Sequence, residues 1–595
     1  MPATRPPADD TVPDRLATRA AERPDEVALT LVDGDSLTFA EWHDRASRVA
    51  HGLMANGIAP GDRVLVACST VDWTTYAVAY IGVQRAGATA VPVLRTLGEE
   101  HIRQVCAASE AVGVLGATDG VPPGLWSADV ADLVDHSPAT PVAVPAGPGD
   151  DAEILYTSGT TGVPKGVVAS HANLLFTHST RPRHEGTKVV LHAVPPGSLA
   201  GQGLLLQPLD ATRHRIVTLT RFDPASFLDA VERFDVTDVV LVPALALTLL
   251  EHAGTRRFDS VRAVRTMSAP IPPVALQKLA AMFPQAAISN LYTTTEAWPA
   301  RTRIRFDPAR PDSVGRSEGT GAVRITDADG AVAPPGTDGN VELRLSGAPR
   351  RRYVDDRGAT DSVFLPDGWV RTGDIGRVDD DGYLYLVDRN ADLVISGGLN
   401  VSTIEVEAAI QEFSGVAEAA AFGLPHRLLG EYVVAAVRPG VGYDRAALNA
   451  FLVARLGPIK APKRVLEVAD FPRNAMGKIV KRALRDQLTR EHDAARRTDS
   501  GAGPETVEAQ SLQRFWADAL GAAEVPWTIS FVELGGTSLS AMEIVGRVRS
   551  ELRRQVSQRD LFEVSDLREF VSLVAGAPEA EQDDSLAPIR RVRRG

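Results

Sequence analysis

The segment Tyr156-Thr157-Ser158-Gly159-Thr160-Thr161-Gly162-Val163-Pro164-Lys165-Gly166 constrains this chain more than any other stretch. It follows a strand-like run, Glu153-Ile154-Leu155. Glycines let the backbone approach a ligand closely and adopt positive φ. Consecutive N–H groups and hydroxyls can wrap phosphate oxygens as an anion nest, and Lys165 adds a positive charge. The segment is not a Walker loop, because Pro164 stands where that pattern has glycine before lysine. A Ser/Thr/Gly cluster alone reads as a polar surface loop. The ordered spacing and the Pro-Lys-Gly ending argue instead for an anion-binding loop at the end of a strand.

The rest of the chain supplies a setting for such a loop. Its 595 residues suggest about four compact units, and 44% hydrophobic with 23% charged residues is ordinary globular composition. Residues 12–388 alternate helical and strand-like runs. Val64 to Ala67 and Val239 to Val242 read as strands, and Phe39 to Met54 and Pro224 to Phe234 as helices. The expected fold class is α/β: a large layered N-terminal subdomain, strand-rich between 328 and 382 where Gly- and Asp-rich turns alternate with β-prone runs. A smaller α+β subdomain is expected over 389–490. A polar, Gly-containing linker follows over 491–507, then an all-α unit over 508–576 and a disordered tail over 577–595.

The net charge of −13 argues against a broad nucleic-acid-binding surface. The only cysteines, Cys68 and Cys106, lie in apolar surroundings and read as buried core thiols. That excludes a disulfide framework or a Cys-rich metal cluster. The N-terminal MPATRPPADD lacks the apolar core of a signal peptide, and no run of about 18 apolar residues occurs. A cytoplasmic chain with no membrane span is expected.

The phosphate-loop segment resembles the signature of the adenylate-forming superfamily: acyl-CoA synthetases, peptide-synthetase adenylation domains and firefly luciferases. Ordered downstream motifs extend the resemblance over roughly residues 12–490. Asn290-Leu291-Tyr292-Thr293-Thr294-Thr295-Glu296 is similar to the family's Tyr-Gly-x-Thr-Glu motif, with Thr293 in place of glycine. The resemblance implies Glu296 on Mg²⁺, Thr295 on phosphate and Tyr292 against adenine. A hydroxyl beside a carboxylate suits that hard cation, although Thr-Thr-Thr-Glu in isolation reads as a helix cap. The Thr293 side chain is expected to narrow the nucleotide or acyl pocket.

Trp369-Val370-Arg371-Thr372-Gly373-Asp374 is similar to the Thr-Gly-Asp motif and implies Asp374 on the ribose hydroxyls. Asp388-Arg389-Asn390-Ala391-Asp392 resembles the family hinge, with Arg389 also reaching the ribose and Asp392 as the pivot. The usual Gly-Arg is Asp388-Arg389 here, and a frequent lysine is Ala391. Ile395-Ser396-Gly397-Gly398-Leu399-Asn400 is closer to acyl-CoA and aryl-acid ligases than to amino-acid adenylation domains. Asn474-Ala475-Met476-Gly477-Lys478-Ile479 resembles the motif of the catalytic lysine.

The resemblance implies ATP, Mg²⁺ and two half-reactions. A carboxylate attacks the α-phosphorus, with Thr157, Ser158, Gly159, Thr160, Thr161, Gly162 and Lys165 on the phosphates and Lys478 bridging the reacting oxygens. A thiol then takes the acyl group after the small subdomain rotates.

Phe531-Val532-Glu533-Leu534-Gly535-Gly536-Thr537-Ser538-Leu539 resembles the attachment motif of thiolation domains. The resemblance implies a four-helix carrier bearing 4'-phosphopantetheine on Ser538, with Thr537 replacing the usual aspartate or histidine. A lone serine at a helix start reads as an N-cap; Leu-Gly-Gly and the upstream aromatic favour attachment. Met542, Val545, Val548 and Leu552 follow at helical spacing and are expected in the core.

The activity implied is an AMP-forming acid–thiol ligase of nonribosomal peptide or related biosynthesis. Its partners would be a carboxylic acid, a phosphopantetheinyl transferase and a downstream condensation or other biosynthetic enzyme. Alternatives are a ligase releasing acyl-CoA and a non-catalytic carrier or docking scaffold. For the acid pocket, Ser198, Leu199, Ser268, Ala269 and Pro270 are the candidates. The run Val194 to Gly201 holds neither the aspartate of amino-acid domains nor the asparagine of aryl-acid relatives. A buried ammonium would then lack compensation, which disfavours an α-amino acid unless Asp210 enters the pocket.

Overall fold

The structure is a computed structural model. It describes residues 10–68, 72–95, 98–116, 121–157, 165–180, 186–267, 271, 273–389, 392–396, 399–426, 430–474, 478–487, 490, 506–520, 522, 525–527, 531, 534, 536, 538–564 and 566–580. Two compact units result: Met1–Ala391 with Arg473–Lys478, and Asp392–Pro472 with Ile479–Gly595. The division falls just beyond the sequence-based boundary at 388, for a simple reason. Leu384–Arg389 is a strand of the first unit, paired antiparallel with Val370–Val378. No helix among the described residues is long and apolar enough to cross a membrane.

The first unit is built on two sheets, of thirteen and seven strands. Six neighbours in the larger sheet run parallel: Val27–Leu31, Arg213–Thr218, Thr187–His192, Asp238–Leu241, Ala263–Thr266 and Ala287–Tyr292. Strands buried on both faces read as continuous apolar runs, which is why Asp238–Leu241 was visible in the sequence. After Tyr292 the sheet turns antiparallel, through Thr302–Arg305, Ser313–Ser317, Leu384–Arg389, Val370–Val378, Gly339–Leu345 and Gly321–Thr326. This is the strand-rich part. Gly315, at φ +91°, lies against the backbone of Arg303 and Ile304 so closely that no Cβ fits.

Helices cover the sheets where the apolar period changes. Phe39–Ala55 starts at a capping box between Thr38 and Glu41 and buries Trp42, whose indole N–H donates to the Ala77 carbonyl at 2.9 Å. Pro224–Arg233 starts at Asp223, which accepts from the Ser226 N–H, with proline in its first turn. The second sheet carries the parallel strands Asp151–Thr157, Thr89–Leu94, Arg63–Cys68, Gly113–Leu115 and Trp126–Ala128. At its other edge Lys165–Ser170 and then Arg352–Tyr353 add antiparallel.

The second unit holds a five-stranded sheet and, with its own core, a helical bundle. Gly430–Pro439 is its central strand, pairing antiparallel with the edge strand Val416–His426 and parallel with Arg464–Glu467. Thr403–Glu412 and Arg445–Lys460 cover one face. The bundle comprises Val507–Leu520, Ser538–Glu551, Gln558–Glu563 and Leu567–Gly576. Trp516 sits at its centre, 5.2 Å from Phe531 and 5.6 Å from Phe570. Val548 is in this core and Val545 and Leu552 at its margin, whereas Met542 is 51% exposed and lies outside the expected stripe.

Two boundaries differ from the sequence reading. The first bundle helix starts inside the expected linker, capped by Thr506. The first residues of the expected tail fold back, with Gln555 N–H donating to the Pro578 carbonyl and Ala580 N–H to that of Arg553.

Candidate functional site

The phosphate-loop segment joins two antiparallel strands. Thr157 and Lys165 are register partners at its base, so the loop closes a hairpin and does not open a helix. Ser158, Gly159, Thr160, Thr161 and Gly162 lie outside the described residues. The Lys165 ammonium lies 5.2 Å from the centre of the Tyr353 ring, within cation–π range. The Tyr353 hydroxyl in turn donates to Glu296 Oε1 at 3.0 Å.

Glu296 belongs to the turn that follows Ala287–Tyr292, at the carboxyl end of the parallel strands, where open α/β sheets bind ligands. Thr294 caps this turn by accepting from the Ala297 N–H, so the capping role of the threonine run is real but belongs to one residue. Thr293 is engaged within the turn. Its hydroxyl donates to the Ala300 carbonyl at 2.7 Å and ties the turn together. The Thr295 carbonyl accepts from Arg351 Nη1 at 3.2 Å. Mg²⁺ is usually held by one or two carboxylates together with substrate phosphates. One Glu296 oxygen bonded to Tyr353 and a second beside it fit that kind of donor set.

Asp374 and Arg389 stand opposite each other on paired strands, and Arg389 Nε approaches Asp374 Oδ1 to 3.5 Å. The Tyr292 hydroxyl donates to Asp374 Oδ2 at 2.6 Å. Burial pushes the Asp374 carboxyl above its ordinary range, opposed by Arg389, the Tyr292 hydrogen bond and the charge of Lys478. Burial, together with Asp374, pushes the Tyr292 phenol well up, so it stays a donor. The charge of Lys478 bears on Asp374, and Arg473–Lys478 belongs to the first unit. The backbone there closes on itself, through Asn474 N–H to the Lys478 carbonyl at 2.9 Å and Lys478 N–H to Asn474 Oδ1 at 3.0 Å. Asp392 is the first residue of the second unit.

The acid-pocket candidates divide. Ser268, Ala269 and Pro270 lie outside the described residues. Ser198 caps the helix Leu199–Leu206, accepting from the Gly201 N–H at 2.9 Å and donating to the Pro195 carbonyl at 3.0 Å. Its hydroxyl is thus engaged by backbone, while Leu199 opens the helix. Asp210 is buried at the end of the turn Gln207–Leu209. Beside this stretch, a cleft of about 340 Å³ is lined by Ala193, Val194, Pro195, Leu219, Thr220, Arg221 and Phe222.

In the bundle, Ser538 is the first residue of Ser538–Glu551. The Gly536 N–H donates to the Phe531 carbonyl at 2.8 Å, and a Cβ at Gly536 would strike the Phe531 ring. The upstream aromatic and the glycine of the motif are therefore one packing unit.

Sequence reasoning missed Arg351, Tyr353, Asn173 and Glu153. Arg351 is 2% exposed, and its Nε donates to Asn173 Oδ1 at 2.9 Å. Glu153, fully buried, accepts from the Tyr80 hydroxyl at 2.9 Å. Burial raises the Glu153 carboxyl and lowers the Arg351 guanidinium, and each charge partly offsets the shift of the other. The one available signal was Glu153 itself, a charge inside an apolar strand.

Family profiles match three consecutive parts of the chain: AMP-binding enzyme over residues 16–348, AMP-binding enzyme C-terminal domain over 405–478, and phosphopantetheine attachment site over 510–574. The chain belongs to the AMP-binding enzyme family. This AMP-binding enzyme is 31% identical over 504 residues to sulfoacetate–CoA ligase of Cupriavidus necator, covering 80% of this chain and 97% of that one. It is 30% identical over 613 residues to the phosphinothricin tripeptide synthetase PhsB of Streptomyces viridochromogenes, covering 96% of this chain and 50% of that one. Among solved structures, ATP-bound MatB from Rhodopseudomonas palustris superposes with a TM-score of 0.73 at 29% identity, covering 81% of this chain and 99% of MatB. The fold expectation of an α/β adenylating enzyme joined to a helical carrier holds.

Proposed function

We propose that this AMP-binding enzyme activates a carboxylic acid with ATP as an acyl-adenylate and loads it onto the 4'-phosphopantetheine thiol at its own Ser538. The observation that carries this is the attachment domain in the same chain, directly after an adenylating pair of subdomains. A tethered thiol reaches effective concentrations near the millimolar range, which favours the chain's own carrier over free CoA.

The residues divide the work. Asp374 accepts the ribose hydroxyls, held by Tyr292 and Arg389. Lys165 and the loop from Thr157 to Gly162 take the phosphate chain. Glu296 holds Mg²⁺, with Thr295 beside the phosphates; that metal would offset phosphate charge when bound. Lys478 bridges the carboxylate and α-phosphate oxygens while negative charge shifts between them, a preorganised electrostatic role. Asp392 is the pivot on which the small subdomain turns for the second half-reaction.

The acid is not a standard α-amino acid: Val194 to Gly201 offers no carboxylate for an ammonium, and Ser198 is engaged as a cap. The carrier is primed by a phosphopantetheinyl transferase and passes its acyl group to a condensation or related enzyme of nonribosomal peptide or similar biosynthesis, in the cytoplasm.

The test is pyrophosphate exchange over a panel of acids, followed by intact-protein mass spectrometry of primed chain. At least one acid should support exchange and appear as an acyl mass on wild type but not on Ser538→Ala, which keeps its exchange. Release of acyl-CoA with no acylated chain would favour the CoA-ligase reading. No exchange with any acid would favour a scaffold.

A further inference from the structure

The strand Arg352–Tyr353 is a short addition to the edge of the phosphate-loop hairpin, with Tyr353 opposite Val167 and Arg352 opposite Val168. Arg351, just before it, and Tyr353, its second residue, grip adjacent points of the Glu296 turn. Arg351 Nη1 donates to the Thr295 carbonyl at 3.2 Å, and the Tyr353 hydroxyl donates to Glu296 Oε1 at 3.0 Å. Both are fixed from behind. Arg351 Nε is held by Asn173, whose side-chain amide donates to the Pro349 carbonyl at 2.5 Å. The Tyr353 ring lies edge-on to Phe364 at 5.4 Å, and its N–H donates to Thr360 Oγ1 at 3.1 Å. The same ring carries the Lys165 ammonium on its face.

We propose that Arg351 and Tyr353 are positioning residues that fix the Glu296 carboxylate relative to Lys165, so that the cation at Glu296 and the phosphates at Lys165 meet in register. The inference rests on the reading of Glu296 as a Mg²⁺ ligand. Mg²⁺ tolerates little departure from octahedral geometry, so the orientation of its carboxylate matters. Tyr353 occupies one oxygen of that carboxylate and thereby orients the other. Arg351 sets the backbone from which Glu296 projects. The charge of the Glu153 carboxylate on Asp151–Thr157 partly offsets the effect of burial on Arg351. Buried Arg351 Nη2 and Glu153 Oε1 have no partner among the described residues. A charge used only for packing would gain nothing from that arrangement, since an apolar side chain of similar volume fills such a site as well or better.

The test is ATP binding to the full chain by calorimetry, with Mg²⁺ and again in EDTA, for wild type, Tyr353→Phe, Arg351→Lys and Glu296→Gln. Loss of a residue that orients a metal ligand costs about 10-fold or more in metal affinity. Tyr353→Phe and Arg351→Lys should therefore weaken Mg²⁺-dependent ATP binding by about that factor and change binding in EDTA less than about 2-fold. Adding Tyr353→Phe to Glu296→Gln should cause no further loss. If Glu296→Gln leaves the metal dependence intact, the Glu296 reading falls, and this inference with it. If Glu296→Gln shifts it while both other variants bind as wild type, or lose affinity equally in EDTA, the positioning role of Arg351 and Tyr353 alone is overturned.

Discussion

The Tyr292 hydroxyl donates to Asp374 Oδ2 at 2.6 Å, linking the end of the last parallel strand to the middle of an antiparallel one. On the proposed roles, the ring assigned to adenine and the carboxylate assigned to ribose form one hydrogen-bonded unit. Tyr292→Phe keeps the ring and removes the bond to a charged acceptor, a contribution of about 1.5–3 kcal/mol. The KM for ATP should rise about 10-fold or more with a smaller change in kcat, measured by pyrophosphate exchange. Asp374→Asn should cost more.

Lys478→Ala should slow adenylate formation by about 10²–10³ while sparing transfer from a preformed acyl-adenylate to the carrier thiol. Exchange measures the first step, and acylation of primed chain by synthetic acyl-adenylate the second. Equal loss of both steps would sink the division of labour between them.

Ser198→Ala removes the cap of Leu199–Leu206 and should cost about 1 kcal/mol of stability with acid selectivity unchanged. A chemical-denaturation series and the acid panel check the two halves of that statement. A shifted acid preference would return the hydroxyl to the pocket.

Gly536→Ala drives a methyl into the Phe531 ring. Overpacking of this kind costs about 1–3 kcal/mol, and here it falls on the segment that leads into Ser538. Priming by a phosphopantetheinyl transferase should slow, with pyrophosphate exchange at the wild-type rate. Limited proteolysis of the bundle should locate the loss.

His171 is buried and accepts from the Val12 N–H at 3.3 Å, and burial holds its imidazole down to about 4. Its folded pKa lies below the unfolded value of about 6.5, so the unfolded chain binds the extra proton first. The stability this group allows is complete above pH 6.5 and is lost as pH falls towards 4, by up to about 3 kcal/mol. Unfolding of wild type between pH 7.5 and 4.5 should therefore be steeper than that of His171→Gln.

Local signals made much of the fold legible. The apolar run Val239 to Val242 marked a buried parallel strand, and the helical spacing of Pro224 to Phe234 marked a helix. The Asp374–Arg389 pair was within reach too, because both flank one tight turn, Asp379 to Tyr383. Other features depended on tertiary contact. Arg351 and Tyr353 reach the Thr295–Glu296 turn across a sheet edge, from more than fifty residues away, and no spacing rule announces that. Ser198 was read only as pocket wall, because its capping role depends on the start of Leu199–Leu206, which the sequence reading did not place. Asp388 and Arg389 looked like the start of a new subdomain, but their strand hydrogen bonds belong to the earlier sheet.

The register of Thr157 against Lys165 has an evolutionary corollary. Beyond Lys165 the strand is buried from Gly166 to Ala169, so its neighbours point alternately into two packed layers. A one-residue slip of this pairing would exchange the layers and carry the ammonium to the opposite side of the sheet. Descendants of this chain can therefore trade side chains within the loop far more easily than they can shift this pairing.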